Sequence, residues 1–359
     1  MGVNIMRIIH AADLHLGSKI EAKLKDISEE RKREVRNSFM RLAEYAETND
    51  IHVILLSGDV FDSDKPFKKD KDTFYSVIKE HPDIDFLYLR GNHDTEEDNV
   101  EKLPNLKTFS DAGWTVYQYG DVVISGIELT KGNSSSFYSS LNLNPTNVNI
   151  VMLHGQVSDS IGNEKIKISQ LKEKNIDYLA LGHIHSYGEG KIDSRGTYAY
   201  SGCLEGRGFD ETGEKGFVLL NVENNKVTHS FVPFALRTIR VEKVDISGLS
   251  TIPEILKKIQ EVVKFNRNDI YRIVLFGDVP FDADFDEKDI QSRLAYSAYF
   301  VNVKKNTLPL IEPEKFVNDL SLKGEFVRTV YANTSLSEEE KRKVVSLGLK
   351  ALEGREIDL

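Results

Sequence analysis

An α/β fold is the class this sequence predicts, on three observations. Short apolar runs alternate with helical patterns through the first two-thirds of the chain, each run stops at a Gly, Asp, His or Ser, and a polar box stands at the end of several of them. Short runs that are partly β-branched or aromatic and end at turn residues read as buried strands. Strands that alternate with amphipathic helices read as βαβ units.

The elements follow in order. A strand is predicted over 7–12. The charged stretch 27–49 carries Val35, Phe39, Leu42 and Ala46 at helical spacing, so it reads as an amphipathic helix whose Arg/Lys/Glu face is solvated. Further strands are expected over 53–56, 86–89, 122–124, 150–153 and 178–181. Asn142 to Asn149 reads as a loop, Gly188 to Gly196 as a hairpin or loop, and Gly213 to Gly216 as a turn between strands. Phe217 to Val222 and Val227 to Val232 form a closing hairpin around Asn224 and Asn225. A boundary near Pro233 to Arg237 sets a first domain at 1–236.

A small α/β domain over 237–311 then reads strand 239–244, helix 253–265, strand 271–276, helix 287–295 and strand 299–303. Within it, Gly277-Asp278-Val279 reads as a turn at a strand end, since no histidine accompanies it. A helical segment occupies 312–359. There Ser337 to Glu340 has the spacing of a capping box. Val345, Leu349 and Leu352 make one apolar stripe, either packed on the chain's own body or left for a partner; the first is favoured.

Composition narrows the class. The chain has 359 residues, 57 acidic and 47 basic, for a net charge of −10. It is therefore no basic nucleic-acid coat protein, although an enzyme that meets phosphate through metals and a local patch remains open. Cys203 is the one cysteine, which rules out an intramolecular disulfide and fits a reducing cytoplasm. The N-terminus shows no signal-peptide core, and no apolar run reaches membrane-spanning length.

Five boxes carry the chemistry: Asp13-Leu14-His15, Gly58-Asp59-Val60-Phe61-Asp62, Gly91-Asn92-His93-Asp94, His154-Gly155 and Gly182-His183-Ile184-His185. Ligands of α/β sheets gather beyond the carboxyl ends of the strands, so several strands can deliver side chains to one point. Residues i and i+2 of an extended chain share a face, which lets Asp13 and His15, or His183 and His185, approach one ion together. Carboxylate, amide oxygen and imidazole suit borderline divalent ions such as Mn²⁺, Fe²⁺ or Zn²⁺. A structural zinc site would use thiolates. Two carboxylates, one amide and four imidazoles exceed one ion's needs and fit two ions sharing a bridging carboxylate, about 3.5–4 Å apart. His10, His52, His81 and His229 belong to no box and read as structural.

At these residues the sequence resembles the calcineurin-like metallophosphoesterase superfamily, over about 7–232. The resemblance implies two stacked mixed β-sheets flanked by helices, four layers in all. It implies that Asp13, His15 and His185 hold one metal, that Asn92, His154 and His183 hold the other, and that Asp59 bridges. His93 would be the general acid and Asp62 the carboxylate that pairs with it. Asp13 to Gly17 and Gly202 to Gly216 further resemble the SbcD/YhaO branch of DNA-repair exonucleases. That branch implies a Mn²⁺-dependent DNA exo- or endonuclease of double-strand break repair (Fe²⁺ or Zn²⁺ being the other metals). It also implies a DNA-binding cap over 237–311, where Phe285 to Leu294 and Lys304-Lys305 follow its pattern. A homodimer is expected, with a coiled-coil ATPase of the SbcC/YhaN type docking through the C-terminal helices. The alternative is a small-molecule phosphatase or cyclic-nucleotide phosphodiesterase with the same dinuclear site.

Overall fold

β-Branched and aromatic residues set between turn-forming Gly, Asp and Asn determine where this chain extends. The computed structural model describes residues 5–63, 65–94, 101–160, 162, 164–281, 283 and 285–354. It divides into two compact units, Met1–Ile239 and Arg240–Leu359. The first holds β1 (Met6–Ala11), α1 (Ser28–Thr48), β2 (Val53–Ser57), α2 (Lys68–Glu80), β3 (Asp85–Leu89), β4 (Leu106–Thr108), β5 (Thr115–Tyr119), β6 (Val122–Gly126), α3 (Phe137–Ser140), β7 (Val148–His154), β8 (Gln156–Val157), β9 (Lys165–Ile166), β10 (Tyr178–Gly182), β11 (Gly188–Lys191), β12 (Thr197–Tyr200), β13 (Gly216–Glu223) and β14 (Lys226–Pro233). After the boundary strand β15 (Ile239–Asp245), the second holds α4 (Ile252–Val262), β16 (Ile270–Pro280), α5 (Glu287–Leu294), β17 (Phe300–Leu310), α6 (Leu322–Ala332) and α7 (Glu338–Leu352).

Two six-stranded mixed sheets form the first unit, in the orders β14-β13-β1-β2-β3-β4 and β11-β12-β10-β7-β6-β5. The central strands β2, β6, β7 and β10 are buried on both faces, which is why they read as unbroken apolar runs rather than alternating ones. Successive residues still point to opposite sides. Ile8 and Leu55 join Ile150, Met152 and Ala180 in the core between the sheets. Ile9, Ile54 and Leu56 instead meet Phe39 of α1 and Phe74 of α2 on the outer face of the first sheet. Leu153 and Leu181 pack with Phe137 and Leu171 on the outer face of the second. This is the expected arrangement of two stacked mixed sheets flanked by helices.

Strands β1, β2 and β3 run parallel, as do β7 and β10. Parallel pairing brings their carboxyl ends to one edge of each sheet. The closing hairpin turns at Asn224 and Asn225, both with positive φ (50° and 57°), as a two-residue turn matched to the strand twist requires.

Two expectations need correction. The charged face of α1 is not wholly solvated: Arg31 is fully buried and Glu34 nearly so. Arg31 pairs with Glu34 and with Glu205 (3.0 Å), Arg237 Nε donates to Glu34 (2.8 Å), and the chain segment leaving the unit is thereby tied into the same cluster. Gly277 is not a strand-end turn, because β16 runs on to Pro280 and pairs in parallel with β17 as far as Leu310. Glycine there has φ +109° and leaves room for Ser247 and Asp245, which a Cβ would overlap. In the helical tail, Val345 and Leu349 are buried with Val327 and Val330 of α6, so most of the apolar stripe is consumed within the chain; Leu352 is exposed. The capping box at Ser337 and Glu340 forms as expected. Among the described residues no helix is long and apolar enough to cross a membrane.

Candidate metal centre

The strand ends carry unusual backbone. Asp13, His15, Asp59 and His183 all adopt positive φ, at 53°, 46°, 52° and 98°. Non-glycine residues seldom do so, and such strain collects at functional sites where surrounding structure enforces it. Here main-chain bonds enforce it: Asp13 N donates to Gly58 O and His15 N to Asp59 O (both 3.0 Å). Gly58 is required beside them, because it has φ +93° and a Cβ would overlap the His154 ring.

The seven predicted ligand residues come together. His15 Nε2 lies 3.1 Å from His185 Nε2. His154 Nε2 lies 3.0 Å from Asn92 Oδ1, and His183 Nδ1 lies 3.3 Å from the same oxygen. Asp59 Oδ2 is 3.4 Å from His154 Nε2 and 3.8 Å from His15 Nε2. Donor atoms of Asp13, His15 and His185, and of Asp13, Asp59 and His154, each fall within 4.8 Å of one another. Two atoms bound at about 2.1 Å to one ion, at tetrahedral to octahedral angles, sit roughly 3.0–3.4 Å apart. Most of these separations match that figure.

Hydrogen bonding decides what faces the cavity. His154 Nδ1 bonds to the Ser57 carbonyl (2.9 Å), and a carbonyl only accepts, so Nδ1 carries the proton and Nε2 offers a lone pair. His185 Nδ1 lies 2.7 Å from Glu211 Oε1 and 3.0 Å from Arg207 Nη2. A lone pair could not sit so close to a carboxylate oxygen, so this nitrogen also carries the proton. His15 Nδ1 lies 2.9 Å from Asp62 Oδ1, an ion-pair distance without an aligned hydrogen bond, and the same reasoning applies. The Nε2 lone pairs of His15 and His185 therefore point at each other. An assembly of facing lone pairs and carboxylates is repulsive unless a cation lies among them, so the residues fit a divalent metal.

The titration behaviour agrees. Burial works against a charged His154, yet the Asp59 carboxylate outweighs it and raises the imidazole to about 9. Asp59 is itself held below the usual carboxylate range: burial opposes this, and the bonds and charge of His154 prevail.

His93 is exposed, and its main-chain N donates to Asp59 Oδ1 (2.9 Å). Its expected partner is only half right. His93 Nδ1 meets the main-chain carbonyl of Asp62 (3.2 Å), whereas the Asp62 carboxylate is taken by His15 and by Arg207 Nη1 (2.9 Å). A partly buried guanidinium outcompetes an exposed imidazole for that carboxylate, because its charge is permanent. Sequence reasoning missed Arg207 and Glu211 as part of the site. Their one visible signal is the i, i+4 opposite-charge spacing inside the Gly202 to Gly216 run, which many surface pairs share. The unboxed histidines lie elsewhere: His10 bonds Tyr178 Oη (2.9 Å), His52 the Asp83 carbonyl, His81 the Val77 carbonyl, and His229 the Glu189 carboxylate.

Comparison with known proteins bears on this geometry. The family described as calcineurin-like phosphoesterase matches residues 6–187. The DNA double-strand break repair protein Mre11 of Sulfolobus acidocaldarius is 23% identical over 339 residues, spanning 88% of this chain and 86% of that protein. A component of the nuclease SbcCD from Staphylococcus epidermidis is 24% identical over 316 residues, 75% of this chain and 79% of its own. The uncharacterized metallophosphoesterase YhaO of Bacillus subtilis is 26% identical over 256 residues, 63% of this chain and 60% of its own.

Proposed function

Because this chain belongs to the calcineurin-like phosphoesterase family, a family of metal-dependent phosphoester hydrolases, we propose that it is a two-metal DNA nuclease acting in double-strand break repair. The observation that supports the two-metal reading is that one oxygen, Asp59 Oδ2, lies close to both His15 Nε2 (3.8 Å) and His154 Nε2 (3.4 Å). An oxygen within reach of ligands assigned to both ions suits a bridge. Asp13, His15 and His185 would hold one ion, Asn92, His154 and His183 the other. Mn²⁺ fits the mixed oxygen and nitrogen donors, as do Fe²⁺ and Zn²⁺. Relatives named for DNA repair along most of the chain favour DNA over a small diester.

When bound, such an ion pair activates a water and neutralises the phosphoryl oxygens. The chain's own groups do the rest. His93, its Nδ1 held by the Asp62 carbonyl, gives a proton from Nε2 to the leaving oxygen. Asp62 serves catalysis through that carbonyl, and through its carboxylate beside His15. The unit spanning 237–311 is proposed to contact DNA, and the segment 312–359 to meet a coiled-coil ATPase of the SbcC/YhaN type. A homodimer in the cytoplasm completes the reading.

The test pairs single- and double-stranded DNA with an aryl phosphodiester, each with Mn²⁺, and repeats both with His93→Ala. DNA cleavage that the variant loses supports the nuclease. Hydrolysis of the aryl diester with intact DNA would assign the centre to small diesters instead.

A further inference from the structure

We infer that Arg207 and Glu211 are positioning residues for one of the two ions, that held by Asp13, His15 and His185. The inference rests on the two-metal reading above and extends it to residues outside the five boxes. His15 follows β1 and His185 follows β10, so no common strand fixes the two rings relative to each other. Each instead meets a carboxylate through Nδ1: Asp62 Oδ1 at 2.9 Å for His15 and Glu211 Oε1 at 2.7 Å for His185. One guanidinium joins these two carboxylates. Arg207 Nη1 donates to Asp62 (2.9 Å), while its Nε and Nη2 face Glu211, with Nε 3.1 Å from Oε1. The Arg207 main-chain N also donates to Glu211 Oε2 (2.7 Å).

The chain His15–Asp62–Arg207–Glu211–His185 thus closes on itself through the Nε2 pair that would face the ion. A planar fork with fixed donor directions can hold two carboxylates at once; an ammonium, a point charge on a flexible stem, cannot. The carboxylates in turn fix the tautomer and tilt of both imidazoles and raise their basicity towards a metal. The loop bearing Arg207 is itself anchored. Buried Arg31 donates to Gly206 O (2.8 Å) and to Glu205, and Glu205 Oε1 accepts from Leu236 N (2.7 Å). Arg207 donates to two carboxylates and lies against the rings, so it acts through His15 and His185 rather than on substrate. At the other site His154 is held differently, by the main-chain carbonyl of Ser57 rather than by a carboxylate.

The asymmetry gives the test. Mn²⁺ is titrated by calorimetry and by electron paramagnetic resonance into the metal-free full-length protein and into Glu211→Ala, Glu211→Gln and Arg207→Lys. Losing a partner of this kind typically costs about 10–100-fold in metal affinity. Glu211→Ala should weaken one of the two Mn²⁺ ions by that factor and leave the other within about twofold. Glu211→Gln, which keeps an acceptor oxygen, should recover part of the loss, and Arg207→Lys should weaken the same ion despite keeping the charge. Nitrogen-15 imidazole spectra of the metal-free protein should show His185 protonated on Nδ1, and a mixed tautomer in Glu211→Ala. Wild-type affinity for both ions in Glu211→Ala and Arg207→Lys would overturn the inference. So would equal weakening of both ions together with a lowered Tm. Neither result depends on DNA cleavage, so a chain that binds two ions as described but leaves DNA intact would sink the nuclease reading alone.

Discussion

Two buried polar clusters of the first unit make opposite use of charge. Around Arg31, charges balance: Arg31 and Arg237 meet Glu34 and Glu205, and Arg31 also reaches the carbonyl of Gly206, although its Nε is left without a partner. At the strand ends, Asp13, Asp59, Asn92 and four imidazoles offer mainly acceptors, two of them nitrogen lone pairs 3.1 Å apart. The first cluster is neutral in sum without any ligand and therefore structural. The second is complete only with added positive charge. Burial alone does not separate the two, since Arg31, Asp13 and Asp59 are all nearly inaccessible; the balance of donors against acceptors does.

That contrast can be broken by exchanging the consequences of mutation. The largest effect is expected at the strand ends. Asp59→Asn removes a charge that the ions need, worth several kcal/mol of transition-state stabilisation, so phosphodiester turnover should fall by about 10³-fold or more. Retained turnover with Mn²⁺ would show that Asp59 does not bridge. Arg31→Met should do the reverse. It strands Glu34 and Glu205 in a dry site and should cost about 3–5 kcal/mol in urea unfolding, while any folded protein keeps its affinity for the Mn²⁺ ion held by Asn92, His154 and His183, which lies away from the Arg207 loop. Equal loss of metal binding and stability in this variant would erase the distinction between the clusters.

Metal itself provides a smaller, sharper contrast. Saturating Mn²⁺ at about 100 times its Kd should stabilise the wild type by roughly 2.7 kcal/mol per site, read as a rise in Tm. Asp59→Asn should gain less at both sites, and Arg31→Met should gain as much as the wild type from the ion held by Asn92, His154 and His183. A Tm insensitive to Mn²⁺ in all three would argue against a preformed site.

The smallest effect concerns His10, a buried histidine belonging to neither cluster. Burial lowers it to about 3, against 6.5 when exposed. The unfolded chain then binds the extra proton between those values, so the contribution of His10 to stability is fully favourable above pH 6.5 and declines as pH falls through that window. From pH 6.5 to 5 the loss is about 2 kcal/mol, and a His10→Gln variant should show a correspondingly flatter urea midpoint over that range. An unchanged slope would mean that His10 is charged in the fold.

Much of this fold was legible because burial on both faces writes strands as continuous apolar runs, as in Val53 to Leu56 and Tyr178 to Leu181. Strands of two or three residues, such as β4, β8 and β9, are too short for any period to register. The distal half of β17 escaped because Lys304 to Asn306 and Pro309 look like a loop, yet parallel pairing with β16 overrides local preference. Metal-ligand candidates were visible because their spacing is local: Asp13 with His15, His183 with His185. Arg207 and Glu211 were not, because their partners Asp62 and His185 lie far away along the chain, and only the folded backbone makes them neighbours. The pairing of Asp62 misled for the same reason: the sequence shows that it stands three residues beyond Asp59, but not that Arg207 reaches it first.

Crystals soaked in Mn²⁺ and measured at its absorption edge test the centre most directly. Two anomalous peaks about 3.5–4 Å apart, with the Asp59 carboxylate between them and His15 and His154 on opposite sides, are the predicted result. A single peak, or peaks remote from Asp59, would contradict it.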